Sequence, residues 1–275
     1  MSPQRKKLVT EISLVARKMA DIISDTDTSI RIPQSEWTIG DMSAHVIVTQ
    51  NILTSLISGK KNVYIKDKDT FIEEADCKLS REYIADINKN FLSKYSQRNG
   101  PILAKAFRDE LSSLINESEK VADSRIFKTH YGEVDLLVLL SYCLTHLLIH
   151  GCTIAKVLNQ PLPVTRENTS LIIPFIKVIM VKLYDKKAAK GFSGNFVLAI
   201  KGIDTFSLIC TPQNVKVSSS KPQKVDCSLK IDPLTFFLVS NGYTSKWKAF
   251  SSGKISLGGR KPWLAFKLQT LFKGL

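Results

Sequence analysis

Residues 138–154, which read VLLSYCLTHLLIHGCTI, most constrain what this chain can fold into. The run is apolar and helical in composition, yet it holds His146 and His150, two of the four histidines in the protein. A separation of four residues places both imidazoles on one face of a helix, one turn apart. The surrounding leucines predict that this face points inward, where two neutral imidazoles need partners. A metal ion would satisfy both rings, and the alternative is two core histidines bonded to side chains, carbonyls or water.

A third histidine, His45, follows a helix start signal. Thr38 with Asp41 three residues later forms a capping box, which predicts a helix over residues 39–57. His45 then falls in the second turn of this helix, on its apolar face. Three histidines that all point toward a core favour a shared metal ion.

Helical periodicity predicts an antiparallel four-helix bundle for the first 160 residues. The predicted helices cover residues 4–24, 39–57, 80–119 with an interruption near Gly100 and Pro101, and 133–158. Residues 60–79 and 122–132 are predicted to be connections without helix. Bundles place metal sites between facing helices.

The second half of the chain changes to an α+β pattern. A linking helix is predicted over residues 169–187, followed by strands over 196–200, 205–210, 214–218, 225–231 and 254–258, with helices over 232–241, 245–252 and 263–272. We therefore predict two domains, residues 1–160 and residues 161–275.

The net charge of +14 supports the same division. Residues 1–160 carry a balance of +1, whereas residues 161–275 have 18 basic and 5 acidic side chains. A basic domain attracts anions such as phospholipid surfaces, nucleic acid, acyl-CoA or carboxylates, and the alternative is a solvated lysine-rich surface. Nucleic acid is not favoured, because aromatic and basic residues do not alternate as in RNA-binding motifs.

The cysteines and the apolar runs bear on location. Five scattered cysteines without a CxxC pair fit a reducing cytoplasm better than a disulfide framework. Charged residues interrupt any signal-peptide core at the N-terminus, and the most apolar runs, 136–149 and 171–184, are shorter than a membrane span. We expect a soluble, cytoplasmic protein.

The histidine pattern also limits the chemistry. His146 and His150 have the spacing of the zincin motif HExxH, but Leu147 replaces the glutamate base. Three histidine ligands would leave a metal position open, where zinc or nickel can bind and ionise a thiol. Cys143 is an alternative ligand or a core residue, and His130 is predicted to lie in a loop.

Residues 37–45, WTIGDMSAH, resemble the WT-x-x-D-x-x-A-H signature of the mycothiol-dependent maleylpyruvate isomerase family, which has a DinB-like bundle. Residues 146–155 are similar to the family's second signature, E-x-x-x-H-G-x-D-I-A. The resemblance implies His45, His146 and His150 as metal ligands. This chain has His146 in place of the glutamate and Thr153 in place of the aspartate; three histidines are the ligand set of other DinB-like proteins, including bacillithiol transferases.

Residues 225–237 and 250–259 resemble a sterol-carrier-protein-2-like domain, which often follows this bundle. Relatives often carry Gly-Arg after the first helix of that segment, where this chain has Asn241-Gly242-Tyr243.

Together these features predict a metal-dependent enzyme that uses a low-molecular-weight thiol similar to mycothiol or bacillithiol. The enzyme would either transfer this thiol to a small electrophile or use it to isomerise the electrophile. The expected cofactors are that thiol and a divalent metal, zinc or alternatively nickel. One alternative is a non-catalytic carrier whose basic domain binds lipid or sterol and approaches anionic membranes. Another is a scaffold that keeps the bundle without the reaction.

Overall fold

The computed structural model describes residues 1–62, 64, 81–129 and 131–272, and in it the chain divides into two compact units, residues 1–164 and residues 165–275. We call these unit 1 and unit 2. The fold class predicted from the sequence, a helical bundle followed by an α+β domain, is confirmed.

Unit 1 is built mainly from helices. Its elements are α1 (Pro3–Ser24), α2 (Ile39–Ser58), α3 (Arg81–Lys94), α4 (Gly100–Glu119), β1 (Ile126–Thr129), β2 (Gly132–Asp135) and α5 (Leu136–Val157). Helices α1 and α2 each pack against both α4 and α5, which makes these four helices the bundle. Apolar residues at helical spacing form its core, for example Leu8, Ile12 and Val15 on α1 and Leu103, Phe107 and Leu111 on α4.

The interruption predicted near Gly100 and Pro101 lies instead at residues 95–99. The Asn99 side chain accepts a hydrogen bond from the Ile102 backbone N–H and caps α4. Pro101 lies in the first turn of α4, where a backbone N–H would have no partner within the helix, so the lack of one costs nothing. Gly100 is required because a Cβ atom there would lie 2.6 Å from the Ile23 carbonyl oxygen. The Gly-Pro pair therefore begins the helix.

The connection predicted over residues 122–132 contains secondary structure. Strands β1 and β2 pair antiparallel, with Phe127 opposite Val134. The last helix consequently begins at Leu136, three residues later than predicted, where the Asp135 side chain caps the Val138 N–H at 2.8 Å. Most of the predicted loop at residues 60–79, and His130, lie outside the described residues.

Helix α5 is a core helix. By length and composition it is the one helix among the described residues that could cross a membrane, since it extends well beyond the apolar run recognised in the sequence. However, 61% of its most apolar window is buried inside the protein. That burial is expected for the central helix of a bundle.

Unit 2 contains a five-stranded sheet. Its elements are α6 (Arg166–Leu171), α7 (Ile173–Leu183), β3 (Gly194–Ile200), β4 (Asp204–Cys210), β5 (Val215–Ser218), β6 (Cys227–Ile231), α8 (Pro233–Ser240), α9 (Lys246–Ser251), β7 (Ile255–Gly258) and α10 (Leu264–Thr270). The strand order is β5-β4-β3-β6-β7, and only the central pair β3–β6 is parallel.

Two helices replace the single linking helix predicted over residues 169–187. The first begins earlier, because Thr165 and Asn168 form a capping box. Pro174 stands in the first turn of the second helix, where a missing N–H is tolerated.

Candidate metal centre

His45 is positioned by the start of α2. The Thr38 hydroxyl accepts the Asp41 backbone N–H at 3.1 Å, and the Asp41 carboxylate accepts the Thr38 N–H at 2.9 Å, which is the predicted capping box. Arg98 donates from Nε to the same carboxylate at 2.7 Å. The helix therefore begins at a defined residue, and His45 lies in its second turn with 8% of its surface exposed.

His146 and His150 occupy successive turns of α5, as their spacing predicts. Both side chains are half-buried. Their ring centroids lie 4.4 Å apart, and the His45 centroid lies 4.9 Å from each of them. Three imidazoles from two helices thus form a cluster within unit 1.

The ring nitrogens of the cluster are close enough to contact one ion. One nitrogen from each histidine lies within 4.8 Å of the others, and Nε2 of His45 is 2.9 Å from Nε2 of His146. Among the described residues, this is the one group of three or more histidine, cysteine or acidic side chains with such geometry. Trp37 packs against one member of the cluster, with its ring centroid 5.1 Å from that of His45.

Burial keeps the three imidazoles neutral. Desolvation lowers the pKa of His45 and of His146 well below the usual value for histidine, and the neighbouring histidines add to the effect. Burial lowers the pKa of His150 to about 4. Neutral imidazole is the form that binds metals, so the cluster is ready for a ligand role at neutral pH.

The chemistry of the donor set supports the fit of a cation. Nδ1 of His45 and Nδ1 of His150 have no hydrogen-bond partner among the residues that the structure describes. An unpaired buried nitrogen is costly, and histidine clusters without carboxylates or thiolates match zinc and other borderline metals. The donor set therefore fits a divalent ion held by His45, His146 and His150.

Cys143 is a core residue rather than a fourth member of the cluster. Its side chain is 2% exposed, and burial raises the pKa of its thiol to about 12. Among the described residues, the group whose ligand atoms lie close enough to share an ion consists of the three histidines and does not include the Cys143 thiol.

Two tyrosines at the site were missed from the sequence. The Tyr142 ring lies 5.8 Å from that of His146, and Tyr131 lies 5.3 Å from Tyr142 and shares a hydrogen bond with it. Tyr142 is four residues before His146, so its helical spacing was the available signal. Tyr131 belongs to the turn between β1 and β2, and no sequence pattern predicted its approach.

The architecture defines a class of protein, a four-helix bundle with an interior histidine cluster joined to an α+β domain. Residues 178–273 match the SCP-2 sterol transfer family. This confirms the sterol-carrier resemblance of the second domain.

Most of the chain, across both units, is similar in fold to solved structures of the mycothiol-dependent maleylpyruvate isomerase. A histidine-to-alanine variant of that enzyme aligns with a TM-score of 0.53 and 14% identity, covering 94% of this chain and 93% of the enzyme. The unmodified enzyme aligns with a TM-score of 0.50 and 13% identity over the same shares. At this identity the similarity establishes a shared fold, and the resemblance found in the motifs is confirmed at that level.

The similarity to other solved structures is weak. The alkylsulfatase Pisa1 from Pseudomonas sp. aligns with half of this chain at 10% identity and a TM-score of 0.34, too low to support an argument, and the chain spans 24% of its length. No protein of curated function has significant sequence similarity to the chain.

Proposed function

We propose that the protein is a metal-dependent enzyme that uses a low-molecular-weight thiol on a small electrophilic substrate. The observation that carries the proposal is the cluster of three neutral imidazoles from α2 and α5, in the fold of a mycothiol-dependent isomerase. His45, His146 and His150 would bind a divalent ion, zinc or nickel. When bound, that ion would supply a Lewis acid that lowers the pKa of a coordinated thiol.

The chain's own residues would prepare the site. The three histidines bind through neutral rings and leave room for an exogenous ligand, because no fourth protein ligand joins them among the described residues. Trp37 packs on His45 and limits its rotation. The Tyr142 ring lies beside His146 and the Tyr131 ring lies beside Tyr142, and their hydroxyl groups would donate hydrogen bonds to an anionic substrate group.

Elemental mass spectrometry of untagged protein tests the metal part of the proposal. We expect close to one zinc or nickel ion per chain. A His146→Ala variant should not retain the metal. Tyr142→Phe is the matched control, because it changes the neighbouring residue on the same helix face without removing an imidazole. Protein that stays metal-free after addition of zinc would contradict the site.

Thiol dependence needs a separate assay. Metal-loaded protein is incubated with mycothiol or bacillithiol and a panel of small electrophiles, including maleylpyruvate, and thiol conjugates or isomers are quantified. Turnover that requires both metal and thiol supports the proposal. Stoichiometric metal with no turnover of any panel member would favour the scaffold alternative.

A second candidate is a lipid or sterol carrier, which the match of residues 178–273 to the SCP-2 sterol transfer family favours. Partly buried apolar residues pack against the core of unit 2, among them Phe192, Phe236 and Leu264. Mass spectrometry of organic extracts tests it. A stoichiometric lipid together with an absence of metal would select the carrier over the enzyme.

A further inference from the structure

Four large aromatic side chains of unit 2 are exposed. The exposed fraction is 59% for Trp247, 45% for Phe250, 61% for Trp263 and 41% for Phe266. Soluble proteins seldom expose large apolar side chains in a contiguous group without a binding role.

These four residues form one surface, which we call the aromatic patch. Trp247 and Phe250 are three residues apart on α9, and Trp263 and Phe266 stand three apart at α10. The Trp247 and Phe266 rings stack with centroids 5.0 Å apart, which joins the two pairs. Lys246 also donates from Nζ to Oε1 of Gln269 at 3.1 Å and links the same two helices.

The patch lies in a strongly basic stretch of sequence, in which Asp226 is the acidic partner of Arg260 and lies 3.8 Å from Lys261. Residues 233–275 contain seven lysines and arginines and no aspartate or glutamate. Lys246 and Lys248 flank Trp247, Lys261 precedes Trp263 by two residues, and all three are exposed. Tryptophan and phenylalanine beside lysine are the side chains that insert at the interface of an anionic membrane.

Other occupants fit less well. A second copy of this chain docked on the patch would place two positively charged surfaces against each other. Single-stranded nucleic acid is bound along a basic groove with successive bases stacked on separate aromatic rings, whereas Trp247 and Phe266 stack on each other.

We propose that the aromatic patch docks unit 2 onto an anionic phospholipid surface, with the four rings inserted at the headgroup level and the lysines on the phosphates. This inference rests on unit 2 alone and is independent of the metal centre.

Vesicle flotation of the full chain tests the proposal. The probes are vesicles of phosphatidylcholine alone and of phosphatidylcholine with one third phosphatidylserine, at low and at physiological salt. We expect binding to the anionic vesicles only, weakened by salt. Brominated acyl chains should quench tryptophan fluorescence in the bound protein.

Matched variants locate the surface. Trp247→Ser with Trp263→Ser should weaken binding roughly tenfold or more, whereas Val181→Ser with Ile203→Ser, which removes two exposed apolar side chains elsewhere in unit 2, should leave it nearly unchanged. Lys246→Gln with Lys248→Gln should weaken it about fivefold per lysine. Lys216→Gln with Lys230→Gln removes the same charge at exposed sites on β5 and β6 and should have a smaller effect.

Three outcomes would overturn the proposal. The first is that the protein does not bind anionic vesicles at low salt. The second is that the patch variants and the control variants lose vesicle binding equally. The third is a patch-dependent dimer, or patch-dependent binding of single-stranded DNA, in protein that ignores vesicles.

Discussion

Nε2 of His45 lies 2.9 Å from Nε2 of His146, although 101 positions separate the two residues in the chain. Two imidazole nitrogens can approach this closely when one carries a proton and the other accepts it, or when both face a common cation. His150 brings a third ring to the same point. The contact links α2 to α5 and makes the cluster a single unit, so substitutions in it should not act independently.

The first prediction concerns that coupling. His45→Ala and His146→Ala should each raise the dissociation constant for zinc by about a hundredfold or more, because each removes a ligand from one site. The double variant should bind zinc more weakly than either single variant, because His150 alone remains to hold the ion, and the two losses need not add. Competition titration with a chromogenic chelator measures the constants, and a variant whose constant for zinc stays unchanged would show that the substituted histidine is not a ligand.

Removal of metal should lower the thermal stability of unit 1. A ligand that binds only the folded state at a hundred times its dissociation constant stabilises by about 2.7 kcal/mol. We expect zinc to raise the melting temperature of chelator-treated protein and to leave a His150→Ala variant unaffected. Differential scanning calorimetry gives the shift, with Tyr142→Phe as the variant that should still respond. A zinc-induced shift that persists in His150→Ala would point to binding elsewhere.

Asp226 should make unit 2 sensitive to acid. Its Oδ2 accepts the Asn195 backbone N–H at 3.0 Å and its Oδ1 accepts Nη2 of Arg260 at 2.7 Å, and these bonds hold the pKa of the carboxyl below its usual value. A carboxyl with a lowered pKa in the folded state contributes stability that is present above about pH 4 and is lost as the pH falls through the folded pKa. Denaturant titrations at successive pH values below about 5 should show this loss, and an Asp226→Asn variant should lack it.

The same substitution should be costly at neutral pH. Asp226→Asn should destabilise unit 2 by about 1–3 kcal/mol, because a buried hydrogen-bonded charge is removed. Asp204→Asn is the control, since the Lys177–Asp204 pair at 2.7 Å is more exposed and should contribute less than about 1 kcal/mol. Equal losses for the two variants would contradict the role assigned to Asp226.

Gly100→Ala should destabilise unit 1 even though alanine is the better helix former. The added Cβ atom would lie 2.6 Å from the Ile23 carbonyl oxygen, so α1 and α4 must move apart there. We expect a loss of about 1–3 kcal/mol in the free energy of unfolding, typical of overpacking. Ser112→Ala on the exposed side of α4 should change stability by less than about 0.5 kcal/mol. A stabilising Gly100→Ala would show that the close approach is absent.

The sequence by itself determined the elements and much of the candidate site. Local rules sufficed where the signal lies within a few residues: the Thr38–Asp41 capping box set the start of α2, and the spacing of His146 and His150 set their common face. Apolar periodicity likewise predicted the bundle and the α+β domain. Such patterns are readable because side-chain direction follows directly from backbone geometry.

Only the tertiary structure decided what depends on distant contacts. The 2.9 Å approach of His45 to His146, the arrival of Tyr131 beside Tyr142, and the β-hairpin before α5 all join segments whose pairing no local signal encodes. The stacking of Trp247 on Phe266 is of the same kind, because it depends on how two short helices pack on one sheet. Long-range contacts are chosen by the packing of the whole core, and for that reason they appear only when the chain is folded.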